Sequence, residues 1–253
     1  TTLTFRCSKR YSNVSMLAHD ANLYVGGANY SGREYIGNLA EVIVYDRALN
    51  AAERTIVENA LGAKYGLALD SGYDHYAGDD PGNGDYDLDV FGIGRVDGAN
   101  EITSAGSAGL AVQAGISLDD GDWLLAGHNV ADNSLTGDDM PATFIRWERV
   151  WYLDETGQVD ALLTFDFSDG GLAPPDPNAQ FALLYSPTNA LDFDFISLAP
   201  LVHDDRVVFS VPVSLLQDGY YTLGIVPEPS TLLLAAVGGV LLVGCGWRKR
   251  RRR

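Results

Sequence analysis

Cysteine, histidine and positive charge are all scarce in this 253-residue chain, and each scarcity removes a class of function. The two cysteines, Cys7 and Cys245, lie near opposite ends, and Cys245 sits in an apolar terminal run. They supply no disulfide framework, even for an oxidising compartment. The four histidines (His19, His75, His128 and His203) show neither an H-E-x-x-H pattern nor any paired metal spacing. No G-x-S-x-G elbow occurs, and Cys7 has no nucleophile signature around it. Glu41 and Asp46, five positions apart in an alternating stretch, fall on opposite faces of a strand. That spacing does not make the close carboxylate pair of a retaining glycosidase. The chain reads as non-catalytic.

Cations are rarer than the total suggests. Without the six at the very C-terminus, 11 Lys and Arg face 34 Asp and Glu. Such a surface repels nucleic acid and anionic lipid headgroups, so no nucleic-acid partner is expected. It favours solubility and association with divalent cations, and it is equally the generic acidity of an exported protein.

What the chain does have is a tripartite C-terminus. Pro227-Glu228-Pro229-Ser230 leads into residues 231–247, which carry no charge, and then into Arg248-Lys249-Arg250-Arg251-Arg252-Arg253. Seventeen helical residues span roughly 25 Å, at the short end of what crosses a bilayer. The cations act as a stop on the cytoplasmic side, leaving the preceding chain outside. From composition alone this is a C-terminal membrane anchor. The order of the three parts resembles the PEP-CTERM sorting signal of Gram-negative bacteria. The resemblance implies an exosortase-type processing enzyme as partner, with cleavage near Pro227, Glu228, Pro229 and Ser230. It further implies transient residence in the inner membrane, then delivery to the cell surface or extracellular matrix. Two prolines also hold the motif extended, the form in which an enzyme meets a strand rather than a helix. The chain starts at Thr1 without Met, basic n-region or apolar h-region. A natural chain with a signal peptide upstream is therefore expected.

Three further regions precede the tail. Residues 1–69 contain alternating stretches at 22–25 and 39–45, which predict strands, and then a helix from residue 50 to about 64. Asn50 is a suitable N-cap with Glu53 placed for a capping box, and Gly66 terminates the element. Ile56, Ala60 and Lys64, with Val57 and Leu61 beside them, predict a narrow packing stripe. The run Ile36-Gly37-Asn38-Leu39-Ala40-Glu41-Val42-Ile43-Val44-Tyr45-Asp46-Arg47-Ala48-Leu49, followed by Lys64-Tyr65-Gly66-Leu67, resembles the closing strand and helix of a LamG-like, concanavalin-type jelly roll. The resemblance implies an incomplete sandwich here, with glycan binding as the family's analogous role.

Residues 70–90 form an acidic, Gly-rich connector. Carboxylate and carbonyl oxygens around glycine turns suit Ca²⁺, the one candidate ion, with Asp79, Asn83, Asp85 and Asp87 as its ligands. Two Ca²⁺-loop patterns come close and fail. Pro81 and Val90 break an EF-type loop, and Tyr86 occupies a required Asp position of a repeat-type loop. A solvated connector is the simpler reading.

Residues 91–226 alternate in the manner of short strands, at 110–118, 122–126, 142–153, 159–167, 181–185, 193–198, 206–213 and 220–226. Turn signals between them and the lack of an amphipathic helix predict an antiparallel β-sandwich. Trp147 and Trp151 share parity with Ile145 and Leu153, which points to core burial over a sugar-stacking platform. Arg149, on the same face, is expected to pair with an acid or stack on an indole. Trp123, Tyr24, Tyr30, Tyr35 and Tyr45 are the other aromatic candidates for sugar contact. Phe91-Gly92-Ile93-Gly94-Arg95, Gly121-Asp122-Trp123-Leu124-Leu125-Ala126-Gly127-His128-Asn129 and Arg146-Trp147-Glu148-Arg149-Val150-Trp151 resemble an uncharacterised β-rich module of large bacterial surface proteins.

The expected architecture is mainly β: antiparallel sandwiches with one short helix after the first section and a C-terminal transmembrane helix at 231–247. The expected function is a non-catalytic adhesin or exopolysaccharide-associated component, with extracellular polysaccharide as partner. Two other readings stay open at this point. One is a passive structural or spacer protein of the envelope; the other is a carbohydrate-active enzyme whose catalytic part lies upstream of residue 1.

Overall fold

A computed structural model describes residues 36–140, 144–176, 178–196 and 198–226. It divides into two compact units, the first ending at Arg47 and the second starting at Ala48. In the first unit the described residues, 36–47, are all exposed and join no strand or helix. The strand expected over 39–45 is therefore not formed there. Leu39, Val42, Ile43 and Val44 remain exposed apolar side chains. Alternation supplies a face, but a strand also needs neighbours for its N–H and C=O groups. The stretch at 22–25 and the tyrosines Tyr24, Tyr30 and Tyr35 lie outside the described residues, as do Cys7 and His19.

The second unit carries one helix, α1 (Ala51–Tyr65), and fourteen strands among its described residues. In chain order these are β1 (Leu88–Asp97), β2 (Asn100–Ile102), β3 (Ser104–Ser107), β4 (Leu110–Ala114), β5 (Trp123–His128), β6 (Leu135–Thr136) and β7 (Ile145–Trp147). They continue as β8 (Trp151–Thr156), β9 (Ala161–Asp166), β10 (Gln180–Ser186), β11 (Asp194–Ile196), β12 (Leu201–His203), β13 (Arg206–Val211) and β14 (Gly219–Val226). Every pairing is antiparallel. The larger sheet runs β11-β10-β14-β8-β5-β1-β2, with β7 also paired to β14 and β6 to β7. The smaller runs β12-β13-β9-β4-β3.

The two sheets share an apolar core. Val207, Phe209 and Val211 of β13 and Ala161, Leu163 and Phe165 of β9 meet Leu124, Trp151, Leu153 and Leu223 of the larger sheet. Trp147 sits edge-on to Phe165 and Phe167, at ring-centroid distances of 5.7 and 5.0 Å. Both indole N–H groups, of Trp147 and Trp151, are buried without a hydrogen-bond partner. The expected burial of Trp147 and Trp151 is what the fold shows, and the antiparallel sandwich is formed.

The strand expected over 142–153 is interrupted. Residues 148–150 separate β7 from β8, and β14 pairs with β8 through Gly219–Tyr221 and with β7 through Gly224 and Ile225. Arg149 explains the break. Among the described residues its guanidinium neither pairs with an acid nor stacks on an indole; it donates to the carbonyls of Ala108, Val130 (3.1 Å) and Ala131. One side chain thus gathers two loops whose backbone acceptors would otherwise be desolvated.

Helix α1 begins as its sequence dictates. Asn50 Oδ1 accepts from Glu53 N at 2.9 Å, and Asn50 N donates to Glu53 Oε2 at 2.8 Å, a complete capping box. Gly66 closes the helix in the left-handed region, with φ of 59°. The packing face differs from the expected one. Ala52, Thr55, Ile56, Asn59, Gly62 and Ala63 are buried, whereas Lys64 is exposed and Val57, Ala60 and Leu61 are half-buried. Small residues win that face because the helix lies close against β1 and β2. Helix and sheet are tied by Asn100 Oδ1, which accepts from Ala51 N at 3.0 Å. Both α1 and the acidic connector thus belong to the compact unit of the strands.

Candidate functional site

The connector is a strap, not a solvated linker. Tyr76 and Tyr86 are 3% and 5% exposed and insert against Tyr152, Tyr220, Trp123 and Leu125 on the outer face of the larger sheet. Five hydrogen bonds hold it. Asn59 of α1 donates to Tyr73 O and accepts from His75 N, each at 2.8 Å. Tyr76 Oη donates to Tyr86 O at 2.5 Å, and Tyr220 Oη donates to Asn83 O at 2.7 Å. Ala77 N donates to Asp154 Oδ2 of β8 at 2.6 Å. The approach is close enough that a Cβ on Gly127 would lie 2.3 Å from Tyr86 O and 2.5 Å from Tyr76 Oη. Only glycine lets β5 pass beneath the strap.

The strap carries its charge near the sheet. Burial pushes the Asp154 carboxyl up to about 6, and Asp218, Asp74 and Asp80 add repulsion. Asp79 is also raised, chiefly by burial. Asp87 is raised because it shares a hydrogen bond with Asp85, with burial adding to the effect. Of the four residues expected to hold Ca²⁺, the fold thus brings Asp85 and Asp87 together. Asn83 is engaged with Ala77 O at 2.7 Å. Among the described residues no group of three or more His, Cys, Asp and Glu side chains is gathered as a metal site.

The histidines described are structural in position. His75 stacks on Trp123 at 4.6 Å, which removes that indole from the sugar-stacking candidates. His128 is buried, with Nε2 3.0 Å from Asp89 Oδ2, and burial pulls its pKa down. His203 lies exposed beside Asp204 at 2.9 Å. Glu41 and Asp46 are exposed.

Beside the strap lies an open cleft of about 480 Å³. The strap turn at residues 81–86 forms one wall, Thr188, Asn189 and Ala190 after β10 form the other, and Asn129 and Tyr220 complete it. Sequence reasoning marked Asn83 and Asp85 of this set. The rest come from the strap itself, from the loops after β5 and β10, and from β14, which only the sheet order assembles.

The described residues end at Val226, the last residue of β14. Pro227, Glu228, Pro229, Ser230, the apolar run 231–247 and the cations Arg248, Lys249, Arg250, Arg251, Arg252 and Arg253 lie outside them. Among the described residues no helix is long and apolar enough to cross a membrane. Residues 226–252 match the model of the PEP-CTERM protein-sorting motif. No curated protein and no solved structure matches the chain. The motif marks an exported, cell-surface protein whose tail is recognised by exosortase.

Proposed function

We propose that this chain is a non-catalytic component of the cell surface or extracellular matrix that associates with extracellular polysaccharide. The observation that carries the reading is the sorting-motif match at 226–252, beginning at the last residue of a fully formed sandwich. Three features support it. The exported part is strongly acidic, the open cleft is lined by amides and hydroxyls, and residues 36–67 are similar to the end of a LamG-like jelly roll. In this reading the uncharged run at 231–247 holds the precursor in the inner membrane with its Arg cluster in the cytoplasm, until processing releases it. No catalytic residue is assigned.

The test is expression in a host with exosortase, followed by mass spectrometry of the surface fraction. A mature C-terminus within residues 227–230 is expected. Surface protein retaining Arg253 overturns the reading.

A further inference from the structure

The strap turn carries the sole Asn-Gly pair of the chain, Asn83-Gly84, with Asn83 half-buried and Gly84 exposed. In such a pair the Gly84 nitrogen attacks the side-chain carbon Cγ of Asn83 and closes a five-membered ring. A Cβ on the second residue hinders that approach, and glycine has none. The reacting atoms are neighbours in the chain. What sets the rate is how readily the Gly84 N–H loses its proton, and how freely Asn83 turns.

The fold acts on both. Gly84 has φ of 101°, and a Cβ there would lie 3.1 Å from Tyr86 Cε2, so the strap's own geometry keeps glycine at this place. Its N–H makes no hydrogen bond among the described residues, and the residue is exposed to solvent base. Tyr220 Oη donates to Asn83 O at 2.7 Å. That oxygen belongs to the same peptide group as the Gly84 nitrogen, and it carries much of the charge of the anion formed when the proton leaves. A donor already aimed at it stabilises that anion in the manner of an oxyanion hole. Tyr220 is 4% exposed, and burial raises its pKa, so it remains a donor in mild alkali. Two bonds oppose the reaction by holding Asn83: its N donates to Asp80 O at 2.9 Å, and its Nδ2 to Ala77 O at 2.7 Å.

We propose that Asn83 is a self-modification site, at which the fold promotes loss of the side-chain amide through Tyr220. Solvent base takes the Gly84 proton, the nitrogen pair forms a bond to Asn83 Cγ, and the Cγ–Nδ2 bond breaks. The amide nitrogen takes a proton from water and leaves as ammonia. A second water opens the cyclic imide, leaving aspartate or isoaspartate at position 83; no oxidant or reductant is needed. The product sets a carboxylate oxygen where Nδ2 met Ala77 O, acceptor against acceptor. It also adds a charge among the strap acids Asp79, Asp80 and Asp85. The strap loses a tie and gains repulsion, and the change runs one way.

The experiment incubates the full chain at mildly alkaline pH, folded and in denaturant, and follows the mass of the peptide around residue 83 together with ammonia release. In folded wild type Asn83 is expected to convert ahead of every other asparagine. Tyr220→Phe keeps the ring beside Tyr86 and Tyr152 and removes the hydroxyl. It should slow conversion in the folded chain at least about fivefold, with no difference between the two chains in denaturant. The sign is decisive, because a bond that only held the strap would, once removed, free Asn83 and speed the reaction. Equal or faster conversion in folded Tyr220→Phe overturns the proposal, as does an Asn83 that keeps its amide in folded wild type. Asn83→Asp makes one product directly and should lower the melting temperature; an unchanged melting temperature overturns the loosening of the strap.

Discussion

The larger sheet is buried on both faces, but by different means. Its inner face meets a second sheet through aliphatic and aromatic side chains, and the two indole N–H groups there go without partners. Its outer face is covered by one helix and a strap, through Tyr76, Tyr86, Tyr152 and Tyr220. The hydroxyls of Tyr76 and Tyr220 bind backbone carbonyls. The inner face is held by area and fit, whereas the outer face is held by a small set of directional bonds in an acidic setting.

Three changes would separate the two faces. Phe165→Ala opens a cavity among Trp147, Trp151 and Phe209 and should cost about 4 kcal/mol of unfolding free energy, read by denaturant titration. A loss under 1 kcal/mol would show that the inner face is not the dominant core. Asp154→Asn acts on the outer face with the opposite sign. The folded Asp154 carboxyl titrates at about 6, above its unfolded value, so folding takes up a proton between the two. Its contribution is most favourable below about pH 4 and is lost as pH rises through about 6. The Asn variant keeps an acceptor for Ala77 N. It should be about 2 kcal/mol more stable than wild type at pH 8, with the gap closing by pH 4. A gap independent of pH would remove Asp154 from the account. His128, whose pKa burial lowers, works the other way: its contribution is present above about 6.5 and lost as pH falls. The difference between the Asn variant and wild type isolates Asp154 from it. The smallest effect is Asn50→Ala, which removes the cap of the covering helix and should cost about 1 kcal/mol in the same titration.

Legibility in the sequence followed how much of each element's reason for existing was local. Val207, Phe209 and Val211 alternate because one face of β13 meets the core, and that pattern is visible without coordinates. The capping box and terminal glycine of α1 are equally local. Ser104-Ala105-Gly106-Ser107 has no apolar rhythm, and it is a strand because β4 lies beside it. The reverse holds for residues 39–45, where alternation is clear and no neighbour is paired with it among the described residues. The strap was hidden by its own composition: aspartates and glycines announce a solvated loop, while the decisive residues, Tyr76 and Tyr86, are two among many. The cleft was legible only through Asn83 and Asp85, because its other wall arrives from the β10–β11 connection, about a hundred residues later.

Strand β14 lies inside its sheet, paired with β10 from Gln180↔Val226 to Ser186↔Tyr220 on one side and with β8 and β7 on the other. The sorting-motif match begins at its last residue. A cut within residues 227–230 would leave at most four residues after the end of β14. A tether attached there would transmit tension straight into β14, along the strand axis, where the ladders on both flanks resist together in shear instead of peeling one bond at a time. The address label is thus fastened at a position of the domain well placed to bear a pull.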